Sequence, residues 1–152
     1  MSGPPSVEMC KMAAMIVTRS PLSYGETIRS LIGAIERRGL TVFAQIDHAA
    51  GAREVGMELA DEGVVLFGSP RSGTPLMQDD PRIGIELPLR MLIWREGEQV
   101  LLGHNDPREL SAAYDVAAHA QTLAQMAALL EALAAEAAGS ASDAAGSNVA
   151  TP

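Results

Sequence analysis

Apolar residues recur along this chain in two rhythms. Short alternating or continuous apolar runs, the signature of strands, occupy Met15 to Arg19, Leu40 to Ile46, Val64 to Phe67, Leu89 to Trp94 and Gln99 to Leu102. Between the first two runs, Ile28, Leu31, Ile32 and Ile35 fall three or four residues apart, which places them on one helix face. Ser23-Tyr24-Gly25-Glu26 has the S-x-x-E form of a capping box just ahead of that face, and Gly39 stands where a left-handed C-cap is wanted. Asp47 can cap a short helix carrying Ala49, Ala52 and Val55. Gly73 to Gln78 predicts a helical turn that Asp79-Asp80-Pro81 breaks, and Glu96-Gly97-Glu98 reads as the turn of a hairpin. After Asn105-Asp106-Pro107 the pattern is helical to about Ala138, with Leu123, Met126, Leu130 and Leu133 forming a stripe among alanines.

The predicted order is β-α-β-(short α)-β-(short α)-β-β-α. A closing hairpin makes the sheet partly antiparallel, which disfavours a doubly wound parallel fold. The expectation is therefore an α+β two-layer sandwich: a mainly antiparallel sheet of about five strands with helices on one face. One such domain spans 13–138, including the C-terminal helix. A flexible segment 1–12 precedes it, and the Gly-, Ser- and Ala-rich stretch 139–152 is expected to be disordered. The second face of the sheet must be covered or unusually polar, and a homodimer is the expected cover.

Composition narrows the function classes. Aromatics make up 3% of 152 residues, so Val, Ile, Leu, Met and Ala must fill the core. One cysteine, Cys10, permits neither an internal disulfide nor a Cys-rich zinc site, and a reducing compartment, the cytoplasm, is expected. No apolar run approaches the ~20 residues of a membrane-spanning helix, and Met12 to Val17 is too short for a secretory signal, so no membrane partner is expected. Net charge is −8, and all eleven Lys and Arg lie at or before Arg108. That balance argues against phosphate-backbone binding, so nucleic acid is not an expected partner.

Several motifs in order carry a resemblance. Ile46-Asp47-His48-Ala49-Ala50, then Ala52 and Gly56, are followed by Phe67-Gly68-Ser69-Pro70, Gly73-Thr74 and Leu76-Met77. Leu87-Pro88-Leu89 and Asn105-Asp106-Pro107 extend the series. Over roughly Ile16 to Tyr114 the chain resembles the domain-of-unknown-function 302 family. The resemblance implies a compact two-layer α+β domain of the TATA-box-binding-protein-like type, often dimeric, and it brings no established activity. Ser69 stands where the family commonly has Asn, and His104 where it commonly has an aromatic such as Tyr.

Candidate chemistry gathers at strand ends. Gly68-Ser69-Pro70-Arg71-Ser72-Gly73-Thr74 fits G-x-x-x-x-G-T but lacks the Lys of a nucleotide-binding loop, and Pro70 removes an N–H from it. What survives is a small-anion site at Ser72, Gly73 and Thr74 with Arg71 near, set against an ordinary capped turn. Asp47-His48 could act as an acid/base pair, although capping alone explains Asp47. His104 and Asp106 end the last strand. If the strand ends converge, His48, His104, Asp47 and Asp106 make a mixed N/O cluster for a divalent metal, with His48 and His104 as the metal ligands. No H-x-x-x-H or H-E-x-x-H spacing supports it. Asn105-Asp106-Pro107 is also a natural start to a helix. His119 reads as a surface residue, and Met9, Met12 and Met15 beside Cys10 as packing rather than soft-metal ligands. Two functions stand: a non-catalytic small-ligand- or metal-binding homo-oligomer, or an enzyme using His48 with Asp47 orienting it. The first leads, because no nucleophile or cofactor fingerprint is visible.

Overall fold

The structure, a computed structural model, describes residues 15–139. The expected flexible segment 1–12, Cys10 with Met9 and Met12, and all but the first residue of the expected tail lie outside the described residues. Five strands are present: β1 (Ile16–Ser20), β2 (Thr41–Asp47), β3 (Glu62–Gly68), β4 (Leu89–Glu96) and β5 (Gln99–His104). They form a single sheet in the order β1-β5-β4-β3-β2, and every neighbouring pair is antiparallel. Four α-helices accompany them: α1 (Tyr24–Arg37), α2 (His48–Glu54), α3 (Pro70–Asp79) and α4 (Ala120–Ala137). The α+β two-layer sandwich follows as the alternation of the strands requires.

Strand alternation sorts the sheet into two unlike faces. Val65 and Phe67, Met91 and Ile93, Val100 and Leu102 point toward α1 and α4 and are buried. Leu31, Ala34 and Ile35 of α1 and Leu130, Leu133, Ala134 and Ala137 of α4 close this core. The predicted capping box holds α1: the Glu26 amide donates to Ser23 Oγ at 3.2 Å and the Ser23 amide to Glu26 Oε2 at 3.3 Å. At its other end Gly39 has φ 70°, which a residue with Cβ enters only at a cost. Glu136 of α4 takes ion pairs from both Arg37 and Arg38, tying the two helices side by side. The C-terminal helix therefore belongs to the core.

Helical structure after Pro107 is not continuous, contrary to the sequence pattern. A 3₁₀ turn over Pro107–Ala112 and another over Ala117–His119 precede α4. Between them the Asp115 amide donates to Asp80 Oδ2 at 3.0 Å, holding the chain against the Pro81–Ile85 3₁₀ turn. Asp80 is buried, and Arg82 donates to it from its backbone and its guanidinium. The Arg82 guanidinium and the Asp115 amide hold the Asp80 carboxyl well below the usual carboxylate range. A second, smaller core of Leu76, Ile83, Val116, Leu123 and Met126 sits there.

Among the described residues nothing covers the opposite face of the sheet, which is largely apolar. Register places Val17, Gly103, Leu92, Val64 and Ile46 in one row across all five strands. Val17 is 50% and Ile46 44% exposed. A neighbouring row holds Arg19, Leu101, Trp94 and Glu62. The Trp94 indole packs against Gly103, where a Cβ would stand 3.0 Å from the ring and 3.1 Å from Met15 Sδ.

Candidate functional site

A cavity of about 470 Å³ opens where β3 ends. Its shape comes from three local departures from regularity. The register of β2 shifts between Val42 and Ala44, and this bulge turns Phe43 outward over Gly68. Gly68 ends β3, after which Ser69 caps α3 and Pro70 takes its first position. Leu87-Pro88, leading into β4, forms the wall facing α3, and Met126 and Leu129 of α4 add a further wall. The volume lies within the ~300–1,000 Å³ of small-molecule sites.

The lining is apolar apart from the hydroxyls of Ser69, Ser72 and Thr74, and none of its side chains titrates near neutral pH. The backbone donors at the start of α3 already have partners. Arg71 N–H donates to Ser69 Oγ at 3.3 Å, and Ser72 and Gly73 N–H both donate to the Ser69 carbonyl. Pro70 has no N–H to offer. The anion cradle expected at Ser72, Gly73 and Thr74 thus lacks free amides, and Arg71 is exposed beside it. This arrangement suits an apolar body with one hydrogen-bonding end.

The other sequence candidates do not join this cavity. Strands β3 and β5 are both antiparallel to β4, so they end at the same edge of the sheet, whereas β2 ends at the opposite edge. Asp47 and His48 therefore stand at one end, and Gly68 to Thr74 and His104 to Asp106 at the other. Three strand spacings of ~4.8 Å also separate β2 from β5, about 14 Å, far beyond what one metal ion bridges. The convergence expected from the sequence does not occur. His48 and His104 do not share a metal site, and among the described residues no group of three or more His, Cys, Asp or Glu is arranged to hold one.

At the first end Asp47 accepts the Ala50 amide at 2.9 Å, acting as the cap of α2, and His48 is exposed. No hydrogen bond links the two side chains. The nearby Tyr24 hydroxyl packs over Gly63, where a Cβ would fall 2.6 Å from it. Burial pushes the Tyr24 phenol up to about 12, with the charges of Asp47, Asp61 and Glu62 adding to the effect. The phenol stays protonated at neutral pH and cannot serve as a base there.

His104 is buried, 2% exposed, on the helix-facing side of β5. Its Nδ1 lies 2.9 Å from the Asn105 carbonyl, which fixes Nδ1–H as the donor, and among the described residues its Nε2 has no partner. Asp106 caps the 3₁₀ turn at Pro107, and the Arg108 guanidinium holds its carboxyl below the ordinary range. His119, read as a surface residue, is partly buried with Nε2 2.7 Å from Asp79 Oδ2. The cavity itself went unread in the sequence because its walls come from five separate segments. Phe43, one of two phenylalanines, set off the alternation of its strand, was the available signal.

The family model "Domain of unknown function DUF302" matches residues 16–133. A crystal structure of an uncharacterized conserved DUF302 protein from Bacillus stearothermophilus superposes with a TM-score of 0.74 at 17% identity, over 81% of this chain and 97% of that one. That likeness shows the fold. Two proteins named fluoride-specific ion channel FluC 1, from Brucella suis biovar 1 (strain 1330) and Brucella abortus biovar 1 (strain 9-941), are 37% identical over 105 residues, 68% of this chain. The chain spans 41% and 39% of their lengths, well under half of either curated relative. This chain belongs to the DUF302 family.

Proposed function

We propose that this DUF302 protein is a non-catalytic, homo-oligomeric domain of the cytoplasm that binds a small, largely apolar molecule in the cavity at the end of β3. The observation that carries this reading is the cavity itself: apolar walls, three hydroxyls at its rim and no titratable side chain in its lining. Such a lining binds and orients, and it offers no group to move a proton. The alternative, Asp47 and His48 as an acid/base pair, has less support, since Asp47 caps a helix and His48 faces solvent.

The test is to fill the cavity. A Cβ on Gly73 would sit 3.5 Å from Leu87 Cδ1 and 3.8 Å from Met77 Cε, ordinary contacts, so Gly73→Leu places its remaining atoms in the open volume. The probe is 8-anilinonaphthalene-1-sulfonate, an apolar fluorophore with one polar end. Saturable fluorescence enhancement that Gly73→Leu abolishes, at unchanged circular dichroism, is the expected result. Equal binding by both proteins would refute the reading.

A second reading is favoured by the two Brucella relatives, whose printed names describe an ion channel. Among the described residues no helix is long and apolar enough to cross a membrane. On this reading the domain is the companion of a channel, and the remainder of each relative conducts the ion. Fluoride efflux from vesicles carrying such a channel, with and without this protein added, tests it. Identical efflux together with no co-sedimentation on the vesicles would remove it.

A further inference from the structure

The uncovered sheet face can be assigned a partner from its register. Its centre is apolar: Val17 on β1 with Met15 just before it, Leu101 on β5, Leu92 and Trp94 on β4, Val64 and Leu66 on β3, with exposed Arg90 opposite Leu66. Five strands ~4.8 Å apart and about 17 Å long give a flat footprint of ~400 Å². That is already in the range of the largest apolar patch an ordinary monomer leaves exposed, and side-chain relief makes the accessible area larger.

Charge placement then singles out the occupant. The row at one end of the face carries Arg19 on β1 and Glu62 on β3, with Leu101 and Trp94 between them. Stack two copies face to face about a two-fold axis that runs along the strands, midway between β5 and β4. The operation lays β4 over the partner's β5, and β3 over its β1. Arg19 then meets Glu62 of the partner subunit, and by symmetry Glu62 meets the partner's Arg19. Val17 meets the partner's Val64, and Trp94 meets the partner's Leu101. Aligned sandwiches cross at about 30°, a rotation small enough to keep these central pairs in register.

We propose that the open face of the sheet is a homodimer interface in which Arg19 and Glu62 form two symmetry-related ion pairs around an apolar centre. The proposal gives a surface to the homo-oligomeric part of the reading above and rests on it. The ligand cavity is independent of it. The two-fold overlaps β1, β5, β4 and β3 of each copy and leaves β2 outside, so the two copies together bury less than about 1,000 Å², the size of a weak, transient pair with a dissociation constant on the order of micromolar or weaker.

Sedimentation velocity of the full chain over a wide concentration range, with Arg19→Glu, Glu62→Arg and the double reversal, is the test. Circular dichroism confirms that each variant is folded. Each single reversal sets like charges opposite one another twice and is expected to weaken the dimer about tenfold or more. The double reversal restores it. Trp94, the single tryptophan, gives a second readout in the unaltered protein: iodide quenching should fall as concentration rises. A monomer at every concentration would overturn the oligomer and the interface together. A dimer indifferent to both single reversals, with Trp94 equally quenchable throughout, would overturn the interface alone.

Discussion

Shortening Leu133 to alanine tests whether α4 belongs to the cooperative core that carries the cavity. Leu133 is fully buried in the cluster that includes Leu31, Ile35 and Leu102. Removing a buried leucyl side chain costs its transfer free energy plus a penalty for the space left, together ~2.7–5 kcal/mol depending on how far the site collapses. Collapse is restrained here. Glu136, one turn along, is fixed by Arg37 and Arg38, and Leu130 anchors the preceding turn. The expected loss is therefore about 3 kcal/mol, roughly a 10 °C fall in Tm for a domain of this length. Urea unfolding followed by both circular dichroism at 222 nm and Trp94 emission reports the helices and the sheet separately. Coincident transitions shifted by that amount are expected, while Ala132→Gln on the exposed side of α4 should stay within about 0.5 kcal/mol of the parent. A loss under ~1 kcal/mol, or a helix transition that separates from the sheet transition, would refute the placement of α4 in the core. It would equally undo the cavity, whose Met126 and Leu129 wall hangs on the same helix.

Three further outcomes follow from single contacts. Ser23→Ala removes half of the capping box of α1 and should cost about 1 kcal/mol in urea unfolding at neutral pH. Asp80 has a folded pKa depressed below its unfolded value, so its stabilisation is present above the unfolded pKa, near 4, and is lost as pH falls through the folded one. Asp80→Asn should accordingly lower Tm at pH 7, and the gap to the parent protein should shrink only below about pH 4; a gap constant from pH 7 to pH 3 would contradict the bond set at Asp80. His104→Leu removes a buried Nε2 that has no partner among the described residues, but also the Nδ1–H bond to the Asn105 carbonyl; the two effects offset, so stability should stay within about 1 kcal/mol of the parent, whereas a loss well above that would reveal a bound water or other partner on Nε2.

Most of the fold was legible because local chemistry and global pattern agree in this chain. The Ser23 to Glu26 capping box, the Gly39 cap and the five short β-type runs each depend on residues close in sequence. The Glu96 to Glu98 turn forces antiparallel pairing without further information. The segment after Pro107 misled for the opposite reason. Its composition favours helix throughout, but Asp80, far away in sequence, captures the Asp115 amide and the chain between Pro107 and His119 turns in short 3₁₀ pieces instead. A hydrogen bond of that span leaves no periodicity to read.

The expected site failed on a question of parity, and the parity could have been counted. Once β4 and β5 form a hairpin and β3 pairs antiparallel with β4, the C-terminal ends of β3 and β5 must share one edge of the sheet. Strand β2, antiparallel to β3, must then end at the other edge and take Asp47 and His48 with it. Polar corners at three strand ends are thus divided two and one by topology alone, whatever their side chains. The two that share an edge are still two strand spacings apart, ~10 Å, and face different neighbours. The remaining cavity is bounded by the bulge at Phe43, which moves one side chain out of the alternation that the rest of β2 obeys. Leu66, in the strand beside it, belongs to the open face and also lines the cavity.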